Sequence, residues 1–166
     1  MRLLVIGAGG HAKVVVDAAL ASGLEVTGVL GRPGDAAHVL GVPVVHDVAG
    51  VSADAFIVAI GDNHARARMF AEHTARGLVP ATIMHPSAVV APSAVVGTGS
   101  FVAAGVIVNA EARVGADTIC NTGCTIDHDC VIGEHAHIGP GANLCGAVTV
   151  GAGALVGVGA CAMPGV

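Results

Sequence analysis

The chain has 166 residues, 54% hydrophobic and 11% charged, with 25 Gly, three Phe and neither Trp nor Tyr. Disordered chains are poor in apolar residues and rich in charge, so this composition excludes one and calls for a core of small aliphatic side chains. A net charge of -5 with only seven Lys and Arg argues against nucleic acid, because a phosphate backbone is held by such residues.

In chain order, an apolar run at residues 3–6 predicts a strand that breaks at Gly7-Ala8-Gly9-Gly10-His11. A helix follows, with Val14, Val15, Ala18 and Ala19 on one face. Strands are predicted at 25–30, 42–45 and 55–60, each bounded by Gly or Pro, and a second helix at about 64–76. This is a Rossmann-like α/β unit over residues 1–80. Gly7-x-Gly9-x-x-Ala12 formally matches the dinucleotide fingerprint, in which glycines let a helix N-terminus approach a phosphate. The acid expected after the second strand is missing, however, since Gly31-Arg32 stand there. The turn therefore suits a nucleotide or phosphate other than NAD(P).

From Met84 onward the sequence repeats every six residues. The first positions run Met84, Val90, Val96, Val102 and so on to Ala162, fourteen hexads without an insertion, and the fifth position of each is small or β-branched. Such a period is the signature of a parallel β-helix solenoid, with the first position stacked inward and the fifth turning the corner. A narrow prism also accounts for the missing aromatics. The uncharged stretches 86–110 and 147–166 are long enough to span a bilayer, but they belong to this repeat, so no membrane segment is expected. Five Cys without a CxxC pair, and an N-terminus that opens directly into a strand, read as free thiols in a cytoplasmic protein. Cys120, Cys124 and Cys130 fall on core positions of the repeat.

Polar side chains in the solenoid concentrate at residues 121–137. His128 is the only imidazole flanked by two carboxylates, Asp127 and Asp129, either of which could orient the ring and raise its basicity. Gly146 lies eighteen residues on, one full coil of three hexads, and so should sit one rung away. His137 is nine residues from His128, half a coil, and belongs to another face of the prism. His135 reads as a solvated outer residue.

Together with Gly-Ala-Gly-Gly-His, the Ile60-Gly61-Asp62-Asn63 turn with Arg66, and His85-Pro86-Ser87-Ala88, the run Asn121-Thr122-x(5)-His128-Asp129-Cys130-x-Ile132-Gly133 resembles the hexapeptide-repeat sugar acyltransferases. These N-acetylate nucleotide-linked 4-amino sugars or O-acetylate sialic acid. The resemblance covers the whole chain and implies a left-handed β-helix over residues 81–166, acetyl-CoA as co-substrate, no metal, and a homotrimer. It places the general base on His128, its partner acid on Asp129, the oxyanion donor on the Gly146 amide and a second histidine near the acetyl group on His137. His137 and His128 can then meet only across subunits. Gly7, Gly9, Gly10, His11, Gly61, Asp62 and Asn63 would hold the nucleotide sugar, with Arg32 on a phosphate or sugar carboxylate. His11 could instead cap the first helix. Family members continue through further coils and a tail that helps bind coenzyme A, so residues beyond Val166 are expected. Two other function classes fit parts of the pattern. One is a hydratase resembling γ-type carbonic anhydrases, with metal ligands among Asp127, His128, His135 and His137. The other is a silent sugar-nucleotide-binding protein.

Overall fold

The computed structural model describes residues 1–166. The first unit is a six-stranded sheet built from β1 (Arg2–Ile6), β2 (Glu25–Leu30), β3 (His38–Val39), β4 (Val42–Val45), β5 (Ala55–Val58) and β6 (Val79–Pro80), in the order β3-β4-β2-β1-β5-β6. Its pairings are parallel except for the β3–β4 hairpin. Strands β3 and β6 have two residues each, too few to show an alternation in the sequence. Strand β5 stops two residues short of its expected end, where Ala59, Ile60 and Gly61 leave the sheet to line a cleft.

Helices α1 (Gly10–Ala21) and α2 (Asn63–Ala75) connect these strands. Helix α1 buries Ala12, Val15, Val16, Ala18 and Ala19, whereas Val14, expected inside, is 39% exposed. Three consecutive valines at 14–16 let the period be read two ways. Contacts of α1 with both β1–β2 and the first rung of the solenoid select the face centred on Val15, Val16 and Ala19.

Fourteen two-residue strands follow, from β7 (Ile83–Met84) to β20 (Cys161–Ala162), each starting six residues after the last. Each of the first eleven pairs in parallel with the strand eighteen residues on, which yields three sheets around a prism, a parallel β-helix. First-position residues from Val102 to Val150 are buried, as are the fifth positions from Ser100 to Val148. Met84 is 39% exposed, and Val156 and Ala162 half-buried, because end coils have a neighbour on one side only. The fourth position of each hexad from Gly99 to Gly165 has φ between 52° and 74°, a left-handed conformation that glycine, Asp and His tolerate better than bulky residues. No helix is long and apolar enough to cross a membrane, and the five cysteines are free thiols, with Cys120, Cys124 and Cys130 buried.

The α/β unit docks on the face made by β7, β10 (Phe101–Val102), β13 (Ile119–Cys120) and β16 (His137–Ile138). There the outward column of Ile83, Phe101 and Ile119 is buried. Burying a side chain such as Phe101 stabilises by about 1.5–3 kcal/mol, and the His11 ring stands edge-on to it at 5.5 Å.

A polar clasp completes the joint. Arg66 of α2, 1% exposed, donates from Nε to the Asp117 carbonyl at 2.9 Å and from Nη2 to the His135 and Ala136 carbonyls at 2.6 and 3.1 Å. On its own side, Nη1 reaches the Ile60 carbonyl at 3.2 Å and Nη2 the Asn63 Oδ1 at 2.8 Å. The Asp117 carboxylate, fully buried, lies 3.5 Å from Arg66 Nε and accepts from His135 Nδ1 at 2.8 Å. His135 is therefore a member of the clasp and not a solvated outer residue. Burial holds Asp117 above the usual carboxylate range while His135 and Arg66 pull it back. Arg66→Met leaves that carboxylate without its main counter-charge. It should cost about 3–5 kcal/mol at neutral pH, as breaking a buried pair does, measured by urea unfolding. The deficit should shrink as pH falls, because protonation removes the uncompensated charge of Asp117.

Candidate active site

Two centres emerge, on different sides of the prism. The first is a cleft of about 570 Å³ at the C-terminal ends of β1, β2 and β5, the place where parallel α/β sheets hold ligands. Gly7, Gly9, Gly10, His11, Arg32 and Gly61 all line it. Gly7 adopts φ +106°, and a Cβ there would fall 2.8 Å from Ile60 Cγ1. The tight turn thus requires glycine twice over. Helix α1 starts at this turn with no acid in its first turn and no side-chain cap on Gly9, so its first amides are open to an anion.

Asp62 and Asn63 stand apart from the cleft and serve the fold. Asp62 caps α2 by accepting from the Ala65 amide at 2.8 Å. Asn63 donates to the Gly153 and Ala154 carbonyls at 2.9 and 3.1 Å. His11 lies inside α1, not at its cap, and its Nε2 is buried without a partner. Desolvation, with help from His137 and Arg66, lowers its pKa to about 4, so the ring is neutral at physiological pH.

Three cleft residues escaped the sequence reading: Asp35, His46 and Arg68. The Arg32-Pro33-Gly34-Asp35 turn folds back so that Asp35 Oδ2 accepts from the Arg32 amide at 2.6 Å. A carboxylate therefore does stand beside the end of β2, three residues later than the fingerprint places it. The Pro-Gly pair was the available signal. Arg68 could have been found from helical spacing, because Ala65, Arg68 and Met69 share one face of α2.

The second centre lies at the corner between β14 (Thr125–Ile126) and β15 (Val131–Ile132), across the prism from the docked unit. Asp129 sits at a left-handed position, φ 59°, and its Oδ2 accepts from His128 Nδ1 at 2.7 Å. Nε2 is thereby left as the basic nitrogen. The hydrogen bond to Asp129 and the nearby charge of Asp127 raise the His128 pKa above its ordinary value. One coil above, Gly146 is buried against this ring. A Cβ on it would be 2.5 Å from both His128 Cε1 and Nε2. The Gly146 amide has no acceptor in the chain. Other third-position amides of the solenoid are also free, and the imidazole against its Cα is what sets Gly146 apart.

His137 lies beside the first centre, on the docked face. Its Nδ1 donates to the Gly61 carbonyl at 3.2 Å, its Nε2 accepts from Asn121 Nδ2 at 3.0 Å, and its ring is 6.4 Å from that of His11. Desolvation lowers its pKa. His128, His135 and His137 thus pair with Asp129, Asp117 and Gly61 respectively, and no three metal-binding side chains converge in the chain.

Comparison with known proteins fits this geometry. Residues 2–73 match the family model described as the PglD N-terminal domain. No curated protein sequence matches. Among solved structures, PerB from Caulobacter crescentus in complex with CoA and GDP-perosamine is 40% identical, with a TM-score of 0.94 over 99% of this chain and 81% of that one. A histidine-to-asparagine mutant of perosamine N-acetyltransferase from Caulobacter crescentus, in complex with the same two ligands, is 35% identical with a TM-score of 0.89, covering 99% and 89%. The acetyltransferase domain of PglB from Neisseria gonorrhoeae FA1090 in complex with acetyl coenzyme A is 35% identical, with a TM-score of 0.91 over 99% and 82%.

The close seat of His128 on Gly146 supplies a test of this geometry. Gly146→Ala should push the imidazole off the rung and away from Asp129. In an NMR titration the His128 midpoint should then fall back toward about 6.5, the value of an unperturbed histidine.

Proposed function

Because the chain belongs to the hexapeptide-repeat sugar acyltransferases, we propose that it transfers the acetyl group of acetyl-CoA to the amine of a nucleotide-linked 4-amino sugar. The observation that carries this reading is the His128 ring, tied at Nδ1 to Asp129 and set against Gly146, whose amide has no acceptor in the chain. An attacking amine must lose a proton, and a thioester carbonyl must receive negative charge. Here a basic nitrogen and an unspent amide donor lie within a few ångströms of each other.

In this mechanism the sugar nitrogen attacks the acetyl carbonyl carbon and its proton passes to His128 Nε2. The charge that develops on the carbonyl oxygen faces the Gly146 N–H. Collapse of the tetrahedral intermediate breaks the carbon–sulfur bond, and the coenzyme A thiolate leaves and recovers the proton from the imidazolium. Asp129 keeps Nδ1 protonated throughout, which fixes the tautomer that can act as a base.

The nucleotide end fits the cleft. The open first turn of α1 faces a phosphate, Arg32 and Arg68 add positive charge, and Asp35 offers a carboxylate to a donor on the base or ribose. The volume is that of an ordinary small-molecule site. The crystallised relatives carry CoA with GDP-perosamine, or acetyl coenzyme A, which supports the same two substrate classes here.

The cleft and His137 lie on the docked face of the prism, and His128 with Gly146 on the opposite corner. In this reading the cleft of one copy serves the base of its neighbour, with the homotrimer as the working unit. Val89, Val95, Ile107 and Val131, exposed on the two free faces, suit burial between copies.

Turnover with acetyl-CoA across UDP-, dTDP- and GDP-linked amino sugars and sialic acid tests the reaction class; activity on sialic acid alone would replace it with O-acetylation. His128→Ala should lower kcat by about 10²–10⁴-fold, the usual loss for a general base, with both substrates still bound. Asp129→Asn should cost less. The base must be neutral, so the wild-type rate should rise with pH through a midpoint above about 6.5. A Cβ at Gly9 meets nothing within 4 Å, so Gly9→Val should keep the fold and abolish sugar-nucleotide binding by calorimetry. Solution scattering should give a trimer, and a monomer at micromolar concentration would overturn the shared site.

A further inference from the structure

Outside the His128–Asp129 pair, one group of polar side chains approaches the same corner from the coil below. Asn109 follows β11 (Ile107–Val108) and lies eighteen residues before Asp127, so the two share a column of the solenoid. Asn109 Nδ2 donates to Asp127 Oδ1 at 2.9 Å, and the same oxygen accepts from the His128 amide at 2.8 Å. That amide occupies the third position of its hexad, where most amides of the solenoid have no acceptor in the chain. Only at Thr122, capped by Asn121 Oδ1 at 2.8 Å, does a side chain cap the next amide in the same way.

We infer that Asn109 and Asp127 are positioning residues for His128: Asn109 anchors Asp127 from the coil below, and Asp127 fixes the His128 backbone and holds a negative charge beside its ring. The inference rests on the general-base reading of His128 and adds to it a division of labour between the two flanking acids. Asp129 takes the ring nitrogen and sets the tautomer. Asp127, which never touches the ring nitrogens, sets the backbone and the field.

The geometry favours this over a plain solvated ladder for two reasons. A carboxylate that receives an amide and an amide side chain on one oxygen is held ionised, and both bonds lower the Asp127 pKa. Its charge is also the second contributor to the raised His128 pKa, after the bond to Asp129. Of the charged groups on the adjoining strand, Arg113 pairs with Val131 from one coil below, past the corner. Glu111 stacks one coil below Asp129, while Cys145, Gly146 and Ala147 lie one coil above residues 127–129.

The test is the titration of His128 followed by the NMR signal of its ring Cε1–H in the free protein, assigned by its loss in His128→Ala. Asp127→Asn keeps an oxygen for the His128 amide and removes only the charge. It should lower the midpoint by a few tenths of a unit. Asn109→Ala releases Asp127 from its anchor and should lower the midpoint in the same direction by less. It should also reduce kcat several-fold while leaving KM for the sugar nucleotide unchanged. Asn109 is exposed and Asp127 half-buried at the surface, and two variants acting by different routes guard against a local collapse in either. A His128 midpoint unmoved in both variants would overturn the inference and leave the pair as a rung of the solenoid. Wild-type turnover in His128→Ala would instead overturn the general-base reading, and the titrations would still decide whether the pair tunes the ring.

Discussion

The Arg66 guanidinium holds the two halves of the molecule in register. A sheet with two helices and a stack of triangular coils have no periodicity in common, so nothing in either fixes how they meet. Apolar contact between Ile83, Phe101 and α1 gives adhesion without direction. Arg66 adds direction by donating to carbonyls on both sides of the joint: Ile60 from the cleft wall, and Asp117, His135 and Ala136 from two successive coils. An arginine suits this work because its donors form a rigid planar fork, whereas a lysine would offer a single mobile point charge. Asp117 supplies the counter-charge without which a buried guanidinium would be costly. His137 reinforces the joint by donating to the Gly61 carbonyl of the same turn.

The second governing constraint is the eighteen-residue coil. Because every coil has the same length, side chains eighteen positions apart must stack, and several polar contacts of the solenoid follow this arithmetic. Asn109 meets Asp127, Asp117 meets His135, Thr125 meets Asn143, and His128 lies against Gly146. A β-helix therefore builds a polar site by vertical addition, one rung at a time. Gly146 leaves room for the His128 ring on the rung below, where a Cβ would fall 2.5 Å from it. The left-handed fourth position serves the site and the clasp as well, since Asp129 of the site and Asp117 and His135 of the clasp occupy it. Placing polar side chains at these corners meets the backbone demand and the needs of the site together.

That arithmetic explains which features were legible in the sequence. Fourteen uninterrupted hexads name the solenoid, its inward positions and the pairing of His128 with Gly146, because a strict period translates directly into contacts. The α/β unit was legible in outline from its strand runs and glycine turns. Where three valines adjoin in α1 the period was ambiguous, and β3 and β6 were too short to leave a pattern. The clasp was hidden for a different reason. Most of Arg66's partners are backbone carbonyls, which every residue carries, so no residue type marks them. His135 looked like a solvated side chain because its partner, Asp117, is buried by a unit some forty residues away in sequence. Asp35 was hidden by a turn that shifts the acid three places from where a strand-end pattern puts it.

The same clasp that unites the halves also separates the two centres. It holds the nucleotide cleft on one face of a rigid prism, while the three-hexad coil fixes His128 at the opposite corner. No hinge joins them, since the cleft wall at Ile60 and Gly61 is itself bonded to Arg66 and His137. A sugar extending from a nucleotide in that cleft cannot be carried round the prism to the base by a domain motion that leaves the clasp intact. Within the proposed reaction, the geometry that makes the monomer rigid is therefore what makes it incomplete. In that reading, assembly with a second copy supplies the approach that flexibility would provide in a hinged enzyme. A three-sided prism with one face already covered has two faces left, as many as a ring of three needs to give each copy a neighbour on either side.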